Sequence, residues 1–391
     1  MASQRLILPG QLVYGWGSLD ALKTMKAQRA LIVTDRTMTQ LGTVERVKDI
    51  LKQGGIESQV YDKVLPEPGR DSIEPGAAQA QEWAPDLFVG LGGGSCLDAA
   101  KAIWVFHEHP HLRGLPWPEI SQQVPRLKLR DKARFVAIPS TSGTGSETTP
   151  IAALSDHSGE LPLKLRFFSM RLLPDMAIVD AQLAATMPPH ITADTGFDAL
   201  VHALESFVSN PSSEIPDAMA LRAMKTIHRW LPRAVHDGDN REARERMHIA
   251  ATMAGVAMAN SGTGLVHDTS HQLGGAFAIT HGRSNALMLN SVLGFMLPDS
   301  HERIVEAAQN LGVPADDGRK ALAGLIATLD GLRREIGMPL TLQEAGIDKD
   351  RFMALLDQFA ANAISTAFRP GRASPEEIKG IFLKAWEGNP L

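Results

Sequence analysis

The stretch DLFVGLGGGSCLDAAKAIWVF, Asp86–Phe106, decides how the chain is read. An apolar run ends in Gly92, Gly93 and Gly94, and helical spacing follows Ser95, so the stretch reads as strand, tight turn and helix. Glycines there let the backbone approach a diphosphate, whose charge is favoured by the N–H groups and dipole of the helix start. A strand-to-helix turn that binds nothing also calls for glycine. The spacing is neither GxGxxG nor a Walker loop, because no GK[ST] follows.

ALIVTD (Ala30–Asp35), TVERVKDILKQGG and SQVYDKV lie upstream of this stretch, and ARFVAIP (Ala133–Pro139) lies downstream. Strands alternating with helices predict a parallel sheet of βαβ units. ARFVAIP runs into STSGTGSETT, Ser140–Thr149, and two such loops at strand ends make the two sides of a nucleotide crevice. Asp35 is placed to bind ribose hydroxyls and repel a 2′-phosphate, or simply to cap the helix after it. From Met187 onward the pattern becomes long helices such as EARERMHIAATMAGVAMAN. The expected architecture is a Rossmann-like α/β nucleotide-binding domain over 1–186 and an all-α metal-binding domain over 187–391, divided near TMPPHIT. No internal repeat is visible.

The 391 residues are 44% hydrophobic, enough for a large core, and the net charge of -5 with scattered Lys and Arg argues against nucleic-acid binding. The single cysteine, Cys96, excludes an internal disulfide or a multi-cysteine metal site. No run of about 18 apolar residues suggests a membrane span. The N-terminal MASQRLILPG lacks the apolar core of a signal peptide, so a cytoplasmic location is expected.

The histidines carry the chemistry. In TADTGFDALVHALESFV, Asp198 and His202 are four apart and project from one helix face. His267 and His271 are also four apart in LVHDTSHQLGG, and His281 follows a turn signalled by Gly274 and Gly275. One carboxylate and three imidazoles suit a divalent ion with a position left for a substrate oxygen, and five candidates leave one histidine for other chemistry. The HxxxH pair lacks the glutamate of HExxH, so a zinc-protease assignment fails. HEHPH, His107–His111, lies in a polar, Pro-containing connection and reads as non-ligating.

These motifs, GGGSCLDAAK, PSTSGTGSETTP, PDMAIVD, TADTGFDALVHALESFVS and GLVHDTSHQLGGAFAITHGRSNAL, span nearly the whole chain. Their order resembles the iron-containing, group III alcohol dehydrogenases, particularly the dehydrogenase half of aldehyde–alcohol dehydrogenases and the propanol dehydrogenases. The resemblance implies a nucleotide domain, a helical domain and an active site in the cleft between them. It implies Asp198, His202, His267 and His281 as ligands of a divalent ion, Fe2+ with Zn2+ or Mn2+ as alternatives. It leaves His271 near nicotinamide and substrate as a proton-relay residue. It puts diphosphate contacts on Gly93, Gly94, Ser95 and Asp98, a second loop on Ser140, Thr141 and Thr144, the ribose acid at Asp35, and Lys164 facing the cofactor. NAD(H), a small aldehyde or primary alcohol, and a homodimer or higher homo-oligomer follow from it.

Three places depart from the family pattern. THGR stands for PHGL or PHGV and brings Arg283; Lys164-Leu165-Arg166 replaces KYP; and TAFR, with Phe368 and Arg369, replaces TNPR. Arginine pairs well with carboxylate or sulfonate, so an anionic aldehyde such as sulfoacetaldehyde becomes a candidate substrate. The competing readings are a lyase of the dehydroquinate-synthase type, which also uses NAD and metal, and a non-enzymatic scaffold component of a bacterial microcompartment.

Overall fold

In chain order the strands are β1 (Leu12–Tyr14), β2 (Arg29–Val33), β3 (Glu57–Tyr61), β4 (Leu87–Gly92), β5 (Arg134–Pro139), β6 (Ile151–Asp156), β7 (Leu163–Phe168) and β8 (Met176–Val179). The computed structural model describes residues 5–159, 162–208, 213–365 and 373–388. It divides into two compact units, Ile7–Thr186 and Met187–Leu391 with Met1–Leu6.

The first unit is a parallel sheet in the order β1-β8-β5-β4-β2-β3, with β6 and β7 paired as a separate antiparallel hairpin. Its helices are α1 (Arg36–Gln40), α2 (Thr43–Gln53), α3 (Arg70–Trp83), α4 (Gly94–Glu108), α5 (Trp117–Gln123) and α6 (Ala181–Ala184). Successive side chains of a strand point to opposite faces. Leu31 and Val33 of β2 therefore join Ile73, Leu97 and Ile103 in one apolar cluster, while Ala30 and Ile32 join Val44, Val47 and Leu51 in another. Burial on both faces is why these strands read as continuous apolar runs.

The chain places β3 outside β2 and then crosses back to set β4 on the other side of β2. The carboxyl ends of β2 and β4 thus form a switch point, where ligand crevices of open α/β sheets lie. Asp35 follows β2, Gly93–Ser95 follow β4, and Ser140–Thr144 follow the adjacent β5.

The described part of the second unit is helical: α7 (Pro189–Val208), α8 (Glu214–His236), α9 (Arg241–Ser261), α10 (Leu265–Phe277), α11 (His281–Met296), α12 (His301–Asn310), α13 (Gly318–Glu335), α14 (Lys349–Ser365) and α15 (Pro375–Glu387). From Gly196 to Val208 every residue of α7 is buried, as expected of a helix enclosed by others. Yet that core helix carries Asp194, Asp198, His202 and Glu205, at spacings that keep them on one side.

The turn before His281 does not fall at Gly274 and Gly275, which lie inside α10. The helix continues to Phe277 and breaks at Ala278, in the left-handed conformation at φ 53°. A glycine inside a helix costs only about 1 kcal/mol, which tertiary packing readily overrides. Among the described residues no single helix is long and apolar enough to cross a membrane.

Candidate functional site

Three helices of the second unit converge on one cluster. Asp198 and His202 come from successive turns of α7, His267 from the first turn of α10, and His281 is the first residue of α11. One donor atom from each lies within 4.8 Å of all the others. Asp198 Oδ1 is 3.8 Å from His202 Nε2 and 3.7 Å from His281 Nε2. Tetrahedral ligands about 2.1 Å from one ion stand about 3.4 Å apart, so sub-ångström movements would let these atoms share an ion. The N/O donor set and its burial fit a divalent first-row ion.

The sequence dictates how His281 arrives there. A Cβ on Gly282 would stand 2.0 Å from the Asp194 carbonyl oxygen and 3.0 Å from Asp198 Cβ, so only glycine admits this contact of α11 with α7. Asp194 then clamps the helix start: Oδ2 accepts from Thr280 Oγ1 at 2.6 Å, and Oδ1 accepts from Arg283 Nε and Nη2 at 3.2 and 3.1 Å. Arg283 is therefore committed to a carboxylate of its own unit.

Burial by itself would raise the Asp198 pKa, but His202, His281 and His267 outweigh it and hold the carboxyl below its ordinary value. Asn285, one turn beyond His281, sets its Nδ2 2.7 Å from Asp198 Oδ1, 3.2 Å from His267 Nε2 and 3.1 Å from His281 Nε2. Its Oδ1 accepts from the Ser270 hydroxyl. Glu205 of α7 accepts from Val266 N at 2.6 Å and lies 2.5 Å from His267 Nδ1. His271, one turn after His267, stays outside the four-donor group, with its ring centroid 5.2 Å from that of His281 and 6.1 Å from that of His267. His271 and His281 are partly accessible, whereas Asp198, His202 and His267 are buried.

In the first unit, the loops after β4 and β5 touch. Ser140 N donates to Gly92 O at 2.9 Å, and a Cβ on Gly94 would come 2.7 Å from Thr144 Cγ2, so a side chain there would force the loops apart. Thr141 lies against Gly93, and Gly93 caps α4 with no side chain of its own. The first N–H groups of α4, with Ser95 among them, form the uncapped helix start that an anion favours. Asp98, in the first turns of α4, ties that helix to the second loop and to β6. It accepts from Ser146 Oγ at 2.6 Å and Ala153 N at 3.1 Å, and burial raises its pKa against the pull of Lys101.

Lys101, fully buried, shares its three N–H donors among five oxygens at 2.6–3.2 Å, the carbonyls of Ser146, Thr149 and Ile151 and the hydroxyls of Ser146 and Thr149. It pins the second loop to α4. Asp35 caps α1, accepting from Met38 N at 3.0 Å, and its other oxygen takes a hydrogen bond from Cys96 Sγ at 3.3 Å. Lys164 on β7 pairs with Glu67 at 3.1 Å and donates to Ser155 Oγ at 3.0 Å. Arg166 lies on the same strand, while Phe368 and Arg369 lie outside the described residues.

Sequence reasoning missed Glu205, Asn285, Asp194 and Lys101. A signal existed for Glu205: an acid three residues after His202 in an otherwise apolar run keeps to the ligand face. Asn285, four residues after His281, offered the same signal.

Two family profiles match this chain, that of iron-containing alcohol dehydrogenase over residues 9–181 and that of the C-terminal part of the Fe-containing alcohol dehydrogenase family over 192–386. The NADPH-dependent butanol dehydrogenase of Clostridium saccharobutylicum is 37% identical over 99% of both chains. The bifunctional aldehyde-alcohol dehydrogenase AdhE of Escherichia coli K12 is 36% identical over 97% of this chain, which spans 46% of that longer protein. The crystal structure of a 1,3-propanediol oxidoreductase superposes with a TM-score of 0.90 at 30% identity, covering 98% of this chain and 100% of the other. The chain belongs to the iron-containing alcohol dehydrogenase family. It is an oxidoreductase of a class that uses NAD(H) and a divalent metal, which sets aside the lyase and scaffold readings.

Proposed function

We propose that this chain interconverts a short, uncharged aldehyde and its primary alcohol, with hydride passing between the carbonyl carbon and NAD(H). The observation that carries this reading is the convergence of Asp198, His202, His267 and His281 into one four-donor set. These four would hold the ion, and ferrous iron, or zinc or manganese in its place, would supply Lewis acidity toward a carbonyl oxygen.

The remaining work falls to the chain. Backbone N–H groups of Gly93, Gly94 and Ser95 bind the diphosphate, Ser140, Thr141 and Thr144 flank it, and Asp98 and Lys101 hold the two loops in register. Asp35 takes the ribose hydroxyls with the acceptor capacity its cap and thiol bonds leave over, and Lys164, held by Glu67 and Ser155, faces the cofactor. His271 gives a proton to the substrate oxygen in reduction and takes it back in oxidation, a duty suited to imidazole because its pKa lies near neutrality.

Arg283 argues for an uncharged substrate. Its pair with Asp194 answers the guanidinium charge, so the anionic aldehyde draws no support from that position. A cytoplasmic homo-oligomer completes the proposal.

The test is NADH oxidation by metal-stripped protein reloaded separately with Fe2+, Zn2+ and Mn2+, against propanal, butanal and sulfoacetaldehyde. Metal-dependent turnover of the neutral aldehydes is expected. No turnover after anaerobic iron loading would sink the reading, and preference for sulfoacetaldehyde would overturn its substrate.

A further inference from the structure

Glu205 is buried at 1% exposure, on α7 three residues beyond His202, and both its oxygens are used on α10. Oε1 accepts from Val266 N, a first-turn donor of α10 for which the preceding Gly264 offers no side-chain cap. Oε2 faces His267 Nδ1 at 2.5 Å. At that distance a carboxylate oxygen accepts the proton of an Nδ1–H imidazole. The far side of the ring agrees. Asn285 Nδ2 lies 3.2 Å from His267 Nε2, and its orientation is set by the Ser270 hydroxyl on its oxygen and the Asp198 carboxylate on its nitrogen. An amide nitrogen there requires a lone pair on Nε2.

We propose that Glu205 is a positioning residue for the metal centre, selecting the Nδ1–H tautomer of His267 so that the Nε2 lone pair faces Asp198, His202 and His281. The inference rests on the reading of these four as metal ligands. It adds that one carboxylate serves two purposes, capping the helix that carries His267 and fixing which ring nitrogen can ligate. Partners of this kind on a ligating histidine are worth about 10–100-fold in metal affinity.

Glu205→Gln separates the two purposes. Its amide oxygen still accepts from Val266 N, so α10 stays capped. Its NH2 group now faces Nδ1 and demands a lone pair there, which places the proton on Nε2, the atom that must ligate. The experiment has two parts: chelator-competition titration with Zn2+ and with anaerobic Fe2+, and 15N spectra of histidine-labelled, metal-free protein, recorded with rising pH until the His267 ring is neutral and assigned through His267→Gln.

The expected result is an Nδ1–H His267 in the wild type, an Nε2–H His267 in Glu205→Gln, and metal affinity lowered by about 10–100-fold. Affinity within about threefold of wild type, a difference below 1 kcal/mol, overturns the inference alone. The wild-type spectrum decides independently of how the variant folds: an Nε2–H His267 there also overturns it. A wild type that takes up neither ion overturns the metal-site reading, and this inference with it.

Discussion

Asp198 is the one carboxylate in a donor set otherwise made of imidazoles, and it is buried. Asparagine in its place keeps the shape and removes the charge that a dication most needs away from water. Removing one member of a buried charge pair costs roughly 3–5 kcal/mol, at least about a hundredfold in affinity. Asp198→Asn is therefore expected to lose Zn2+ or Fe2+ affinity by at least that factor in chelator competition, and unchanged affinity would remove Asp198 from the donor set. Arg283 yields a second expectation at this scale. Since Asp194 already answers its charge, Arg283→Leu should leave the kcat/KM ratio of propanal to sulfoacetaldehyde within about threefold. A large swing toward propanal would restore the anionic substrate. Asp198 and His202 were legible as a pair because a helix fixes four-residue spacing locally. What Arg283 does was not, because its partner lies 89 residues away and only folding brings them together.

The elements that carry the nucleotide loops read clearly where one strand or helix explains itself. The strand-turn-helix over β4 and α4 is written in its apolar run and glycines, and β2, β3 and β5 follow the same logic. The hairpin β6–β7 escaped the sequence reading, because its short strands are specified by pairing with each other and by Asp98, whose Oδ2 accepts from Ala153 N. Lys101 sits within the quoted motif, but its role appears only when the loop after β5 folds over its ammonium group. Losing several charge-assisted hydrogen bonds at about 1.5–3 kcal/mol each loosens that loop. Lys101→Met should raise KM for NADH by about tenfold or more, with a smaller effect on kcat. Burial pulls the Lys101 pKa down to about 8, against Asp98 and Glu147, so the ammonium holds the loop below that pH and surrenders a donor above it. KM for NADH in the wild type is expected to climb as pH passes about 8, and to lack that climb in Lys101→Met. A flat profile in the wild type through about pH 9.5 would show that the loop does not depend on this charge.

At the scale of the whole molecule, the candidate ligands of the ion and of the nucleotide belong to different compact units, Met187 onward and Ile7–Thr186. A ligand that binds only the folded state stabilises it by RT ln(1 + [L]/Kd), about 2.7 kcal/mol at a hundredfold excess over Kd. For a unit of roughly 200 residues, each kcal/mol moves Tm by about 2–4 °C, so saturating Zn2+ should raise the melting of the helical unit by roughly 5–10 °C. Hydrogen exchange tells the two ligands apart. The ion is expected to slow exchange in α7, α10 and the start of α11, where its four donors sit, and NAD(H) to slow it at the start of α4 and in Ser140–Thr149. The direct protection differs because each ligand closes only the openings that expose its own contacts. Zn2+ protecting the α4 loop while leaving α7 and α10 unchanged would place the ion elsewhere and dissolve the four-residue centre, whereas the expected pattern would tie each set of residues to its own ligand without recourse to turnover.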